Sequence, residues 1–251
     1  MINIKKIIAC LDLKDGLVVK GVRYENIKDV GDPIETAAFY SAAGADELVF
    51  LDITASYENR PIFIDTIEKL AGVIDIPFTV GGGVNSLDII ESLIAIGADK
   101  VLIGTAGMKN PDLIAKAAQR FGSERIAAAV DARLAGDRLT VVIDGGRTDT
   151  GVEVTEWTRR VEQLGAGEIL LTSMDRDGTK SGYDIALLKS VVVNIPVIAS
   201  GGAGSMEHFY EVFTETNATG ALAASLFHYR EIEIQALKKY LRAKGIPLIR
   251  A

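Results

Sequence analysis

Eight short apolar runs alternating with amphipathic stretches, an ordered set of residues recurring about 120 positions later, and glycine or hydroxyl residues just beyond those runs predict a closed (β/α)8 TIM barrel with a twofold internal half-barrel repeat. The apolar runs are IIACLD from Ile7, LVFLD from Leu48, PFTV from Pro77, VLIG from Val101, IAAAVD from Ile126, EILLT from Glu168, PVIA from Pro196 and ALAAS from Ala221. Each is too short for a helix and has the length of a strand buried on both faces. Between them lie DPIETAAFYSAAG, SLDIIESLIAIG, NPDLIAKAAQRFG and EVTEWTRRVEQLG, each opening near a polar capping residue and closing at glycine. Eight units and no second pattern predict one domain over residues 1–251, with half-barrels of roughly 1–122 and 123–251. Asp12 recurs as Asp131, Gly44-Ala45 with Glu47 as Gly165-Ala166 with Glu168, Gly81-Gly82 as Gly201-Gly202, and Thr105 as Ser225. Each pair stands beside a strand candidate, so duplication of a four-unit half is the economical origin.

The bulk properties narrow the class of partner. With 48% hydrophobic and 24% charged residues, the 251-residue chain can bury an ample core. The net charge of -7 argues against nucleic acid and anionic membranes, so an anionic ligand needs a local site. No apolar run reaches the length of a bilayer span, and the opening MINIKKIIACLDLKDG has no signal-peptide pattern, which makes the cytoplasm the expected compartment. The one cysteine, Cys10, sits inside an apolar run and reads as a small buried residue. His208 and His228 are not at metal-ligand spacing and no clustered Cys/His pattern exists, so neither a metal nor another cofactor is expected. Trp157, Phe39, Tyr40, Phe209 and Phe213 fall at helical spacings that suit packing against the sheet.

In a barrel of this class the loops after the strands converge on one mouth, and chemistry sits there. Gly81-Gly82-Gly83 follows the third strand candidate, and Gly104-Thr105 the fourth. Gly201-Gly202-Ala203-Gly204 follows the seventh, and Ala224-Ser225 the eighth. Glycine lets the backbone approach an anion and a hydroxyl adds a donor, so each half offers one phosphate cradle, and the expected ligand is small and carries two phosphates. Asp12 and Asp131 end strands on opposite sides of the ring, where two carboxylates of different burial can divide acid and base roles. Asp177 belongs to a third polar loop, DRDGTKSGYD. Lys20 and Arg23 lie in LKDGLVVKGVRYENIKDVGD, expected to be a long loop able to fold over the mouth as a basic lid.

The strings IIACLDLKDG, DELVFLDITAS, IPFTVGGG, GAGEILLTS, DRDGTKSGYD, IASGGAGSMEHF and GALAASLFH resemble, nearly end to end, the cyclase subunits of imidazole glycerol phosphate synthase. The resemblance implies a step of histidine biosynthesis. Ammonia attacks a bis-phosphorylated ribulosyl formimino carboxamide ribonucleotide, the imidazole ring closes, and imidazole glycerol phosphate and aminoimidazole carboxamide ribotide leave. It implies Asp12 and Asp131 as the acid/base pair and Lys20, Thr172, Asp177 and Ser200 as substrate contacts. Gly83 and Thr105 match one phosphate site, with Gly104 beside them, and Gly178, Gly202, Ala224 and Ser225 match the other. It further implies a glutaminase subunit docked on the opposite, N-terminal face, near Pro77, Phe78, Asp99 and Phe121. A gate of Lys6, Glu47, Lys100 and Glu168 would admit ammonia to the barrel core. Without the family, four such charges also suit a plain salt-bridge layer.

Three positions depart from the family pattern. Lys6 stands where arginine is usual, Gly104 replaces an asparagine, and Gly145 stands where a serine is typical. VLIGTAGM is closer to the sister isomerase of the pathway, so the two glycines predict a slower cyclase or some isomerase character. Isomerase, and an inactive or engineered barrel scaffold, are the alternative readings.

Overall fold

The structure, a computed structural model, describes residues 4–14, 17–22, 25–58 and 62–249; within these, the side chains of 17, 18, 20–22, 25–31, 56 and 57 are not described. Among the described residues twelve strands occur in chain order: β1 (Lys6–Lys14), β2 (Leu17–Val22), β3 (Glu25–Gly31), β4 (Glu47–Asp52), β5 (Phe78–Gly81), β6 (Lys100–Ile103), β7 (Ile126–Ala135), β8 (Arg138–Ile143), β9 (Thr148–Glu153), β10 (Glu168–Ser173), β11 (Val197–Ser200) and β12 (Gly220–Ala223). Eight of them, β1, β4, β5, β6, β7, β10, β11 and β12, pair in parallel, and the β7–β10 and β12–β1 pairings complete the ring. This is the (β/α)8 TIM barrel the sequence predicts, and every apolar run above supplies one of its strands.

The four helix candidates form at Pro33–Ala42, Leu87–Ala95, Asp112–Phe121 and Val154–Gln163. Asp32 caps the first, its carboxylate accepting from Ile34 N–H at 2.8 Å and Glu35 N–H at 3.0 Å, with Pro33 at the first turn. Ser86 caps the second by accepting from Ile89 N–H. Trp157, Tyr40, Phe209 and Phe213 are buried between helices and sheet as expected. Phe39 is not: it is 37% exposed and carries the Arg230 guanidinium 4.9 Å above its ring. It is next to Tyr40 on the helix and so turns the other way, a distinction of about 100° of helical rotation.

Two antiparallel excursions leave the ring on the mouth side. β1 runs on past the barrel to pair with β2, which pairs with β3, so the segment expected as an unstructured lid loop is a strand ribbon along most of its length. Lys20 lies in β2 opposite Lys28; its side chain lies outside the described ones, and Arg23 lies outside the described residues altogether. β7 likewise runs on into the β8–β9 hairpin, whose turn holds Asp144, Gly145 and Gly146.

Strand periodicity splits the core in two. Outward residues such as Ile7, Ala9, Leu11, Ala128 and Val130 pack under the helices, while Ile8, Cys10, Val49, Leu102, Ala127, Leu170, Ile198 and Leu222 form a separate plug inside the barrel. On the outside of the ring the last helix, Ile234–Ala243, is locked on by Lys238. Its ammonium lies 2.6 Å from Asp46 Oδ1, both side chains being essentially inaccessible, while Asp46 Oδ2 accepts from Ile7 N–H at 2.8 Å. Removing one charge strands the other in the core. Lys238→Met is therefore expected to lower the unfolding free energy by about 3 kcal/mol; urea titration showing a loss under 1 kcal/mol would contradict this account of the latch.

Candidate active site at the barrel mouth

The alternation that builds the plug also aims the site. On β1, Asp12 is in phase with Ile8 and Cys10; on β7, Asp131 is in phase with Ala127 and Ala129. Both carboxylates therefore project to the inside of the ring at its C-terminal rim. Thr172 on β10 and Ser200 on β11 share that phase with Leu170 and Ile198 and stand in register with each other. Thr172 is also the register partner of Asp131.

The rim holds two adjoining cavities. One, of about 200 Å³, is lined by Asp131, Thr172, Gly83, Gly104 and Thr105, with Gly82, Asn85, Asp52, Lys109 and Gly145. The other, of about 30 Å³, is lined by Asp12, Cys10, Asp177, Gly178, Ser200, Gly202, Ala224 and Ser225. Leu51 lines both, so one leucine side chain stands between them. Every site residue expected of the mouth whose side chain is described thus falls in one cavity or the other, Asp131 beside the Gly83–Thr105 cradle in the larger and Asp12 beside the Gly202–Ser225 cradle in the smaller. Gly82 (φ 88°) and Gly202 (φ 101°) cannot carry a side chain: a Cβ would strike the Asp52 carbonyl in the first case and the Gly182 carbonyl in the second. Gly104 differs, with φ -112° and only the Ala129 methyl within 3.3 Å of a Cβ, so its bareness widens the larger cavity without being required by the backbone.

Burial pushes the Asp131 carboxyl up to about 6; the hydrogen bond from Thr172 works against this and the nearby Asp177 carboxylate adds to it. Asp12 is 3% exposed, with Cys10 Sγ 3.4 Å from its Oδ1, so the buried cysteine expected from the sequence touches the carboxylate layer of the mouth.

Asp52, Asn85 and Lys109 were not among the expected residues. Asp52 ends the run LVFLD as Asp12 ends IIACLD, a signal legible beforehand; its Oδ1 accepts from Ala55 N–H at 3.1 Å and Thr54 N–H at 3.3 Å, holding the loop after β4. Asn85 and Lys109 carry no signal in sequence, being polar residues among others in loop and helix.

At the opposite end the four expected gate residues form one chain. Lys6 Nζ lies 2.9 Å from Glu47 Oε2, Lys100 Nζ 3.0 Å from Glu47 Oε1, and Lys100 Nζ 2.6 Å from Glu168 Oε1. Thr79, missed in the sequence, donates its hydroxyl to Glu47 Oε1 at 2.7 Å; its inward phase within PFTV was the available clue. Burial raises the Glu47 carboxyl, but Lys100, Lys6 and Thr79 outweigh it and hold it below the usual range. Burial, with the Glu47 carboxylate adding to it, keeps the Glu168 carboxyl above the usual range against the pull of Lys100 and Lys6. Pro77, Asp99, Glu124 and Arg125 line a concavity beside this chain. Phe78 does not face it, being buried against Phe50, 5.7 Å between ring centroids.

Among the described residues no group of three or more His, Cys, Asp or Glu is placed to hold a metal ion, and no helix is long and apolar enough to cross a membrane. The sequence model of the family described as "Histidine biosynthesis protein" matches residues 6–233. The chain is 54% identical over 246 residues to the imidazole glycerol phosphate synthase subunit HisF of Thermococcus onnurineus (strain NA1), covering 97% of each chain. It is 55% identical over 245 residues to the subunit of the same name from Hydrogenobaculum sp. (strain Y04AAS1), covering 96% of this chain and 97% of the relative. A barrel with paired carboxylates and glycine cradles at one mouth, matched over nearly its whole length to these relatives, belongs to the HisF family, the cyclase subunits of imidazole glycerol phosphate synthase in histidine biosynthesis.

Proposed function

We propose that this chain uses ammonia to cleave and cyclise a bis-phosphorylated ribulosyl formimino carboxamide ribonucleotide, releasing imidazole glycerol phosphate and aminoimidazole carboxamide ribotide, with Asp12 and Asp131 as general acid and base. The single observation that carries the reading is that Asp131 and Asp12 each share a cavity with a glycine cradle and that the two cavities adjoin. A substrate with a phosphate at either end is then held across the rim with its reacting centre between the carboxylates. Gly83, Gly104 and Thr105 take one phosphate; Gly178, Gly202, Ala224 and Ser225 take the other. Thr172, Asp177, Ser200 and Lys20 contact the body of the substrate. Ring closure moves protons on and off nitrogen and oxygen, and two carboxyls of unlike environment supply both directions of transfer. Asp131, whose carboxyl burial raises to about 6, can take up or release a proton near neutral pH, as either role requires.

The same reading assigns a glutaminase subunit to the opposite face, beside the concavity of Pro77 and Asp99. What supports a route for ammonia is the sequence of layers: the Lys6–Glu47–Lys100–Glu168 chain first, then the apolar plug, then the carboxylates. An apolar passage admits neutral ammonia and rejects ammonium. We place the enzyme in the cytoplasm and read residues 1–251 as one domain of two duplicated halves, 1–122 and 123–251. The recurrence of Asp12 as Asp131 and Thr105 as Ser225, each at the corresponding place of its cavity, supports the duplication.

Incubation with the ribulosyl nucleotide and ammonium salt at alkaline pH is expected to show turnover, and Asp12→Asn or Asp131→Asn to reduce kcat by on the order of 10³-fold. Turnover of the aldose isomer alone would make the chain an isomerase, and turnover of neither would make it a scaffold. Stability gives a second check on Asp131. A carboxyl raised from 3.8 to about 6 by folding penalises the native state once it ionises, fully above about pH 6 and not at all below about pH 4. Asp131→Asn is thus expected to stabilise the fold by on the order of 2 kcal/mol at pH 8, the gain fading as the pH falls to 4. A gain that is the same at both pH values would show that ionisation of Asp131 is not its source.

A further inference from the structure

The larger mouth cavity has an electrostatic problem. Among the described residues lining it, two are carboxylates, Asp52 and Asp131, and one is basic, Lys109. A phosphate dianion entering such a cavity meets repulsion unless a cation is at hand. Lys109 ends the single helical turn Thr105–Lys109, four residues after Thr105 and on the same face. Its ammonium is held by the neighbouring hairpin. It lies 3.1 Å from Asp144 Oδ1 and 3.3 Å from Oδ2, on the turn of the β8–β9 hairpin. The same Asp144 donates its backbone N–H to Thr105 Oγ1 at 3.0 Å, so one residue holds both the hydroxyl and the cation of this rim. Asp144 does so at φ 54°, a backbone setting unfavourable for a residue with a Cβ, and Arg147 donates to its carbonyl at 3.0 Å.

We propose that Lys109 is a phosphate-binding residue of the Gly83–Thr105 rim and that Asp144 is its resting counter-ion, displaced when phosphate arrives. The proposal rests on the reading of this cavity as a phosphate subsite. The lysine side chain is 58% exposed and Asp144 19%, and an ion pair this open to water is readily exchanged for one with a doubly charged anion. The bare Gly104 leaves the cavity wall without a side-chain donor at the residue before Thr105, and Gly145 leaves the hairpin turn equally bare. The cation four residues on compensates for both. Charge, rather than an added hydrogen-bonding side chain, then sets affinity at this rim, and the opposite rim, with no lysine or arginine among its described lining residues, should be insensitive to the exchange.

Inorganic phosphate is the probe, titrated into the full chain while amide NMR signals are followed. Gly83 and Thr105 report the larger cavity, and Gly202 and Ser225 the other. Lys109→Met is expected to weaken phosphate about tenfold at the first pair and leave the second unchanged, with Lys109→Arg near wild type. Asp144→Asn, which removes the competitor, is expected to tighten it two- to threefold, roughly the worth of an exposed pair. The opposite signs separate a binding role from a merely structural clasp. Equal weakening by both variants, or wild-type affinity in Lys109→Met, overturns the proposal. Phosphate binding at neither rim in any variant would instead overturn the subsite reading and this proposal with it.

Discussion

Side chains on a β-strand point alternately to its two sides, and in a ring of parallel strands one of those sides is the inside of a closed cylinder. That constraint organises this protein. Once Ile8, Val49, Leu102, Leu170 and their neighbours are committed to the interior, the residues two before and two after them are committed as well. The interior therefore comes in layers: Lys6, Glu47, Lys100 and Glu168 below, the apolar plug in the middle, and Asp12, Asp131, Thr172 and Ser200 above. A one-residue slip in any strand would turn its polar ends into the helix layer and its outer apolar residues into the mouth.

The lower layer is stable because its charges balance. Two lysines and two glutamates form one connected chain, and Thr79 adds a neutral donor to the most buried member, Glu47. The unequal sharing leaves its mark: Glu47 has two ammonium partners and holds its charge readily, whereas Glu168 has one and holds it less so. A charged layer with one weakly held member can rearrange with less loss than one in which each charge is fully matched. The latch on the outer wall, Lys238 with Asp46, is a different device. It fixes the last helix to the start of the ring through Ile7 N–H and leaves no partner free to exchange.

The mouth is less symmetrical than the residue pattern suggests. The cavity of Asp12 is small, and at Gly202 its wall admits no side chain. The cavity of Asp131 is several times larger, open at Gly104, and overhung by a hairpin tied to Thr105 and Lys109. Matched carboxylates on matched strands thereby come to sit in unlike surroundings, which is the condition for assigning them unlike protonation roles.

Most of the fold and the inventory of the mouth were legible in the sequence. Strand length, helix caps and the repeat at about 120 residues are local or periodic signals, and Asp12, Asp131, Gly83, Gly202, Thr105 and Ser225 follow from position at strand ends. The ribbon strands Leu17–Val22 and Glu25–Gly31 escaped because the first pairs with an extension of β1, and the sequence of a segment does not display what it will pair with. Phe39 was placed on the wrong side of its helix because adjacent aromatics leave the orientation of the stripe ambiguous. Thr79 joined the ionic chain, and Lys109 and Asp144 met over the cradle, through contacts between elements 32 and 35 residues apart. The sequence by itself determined the ring, its inward phase and the residue types at its rim, since these rest on periodicity. Only the tertiary structure decided which charges neutralise one another and how large each cavity is, since both depend on distances across the closed barrel.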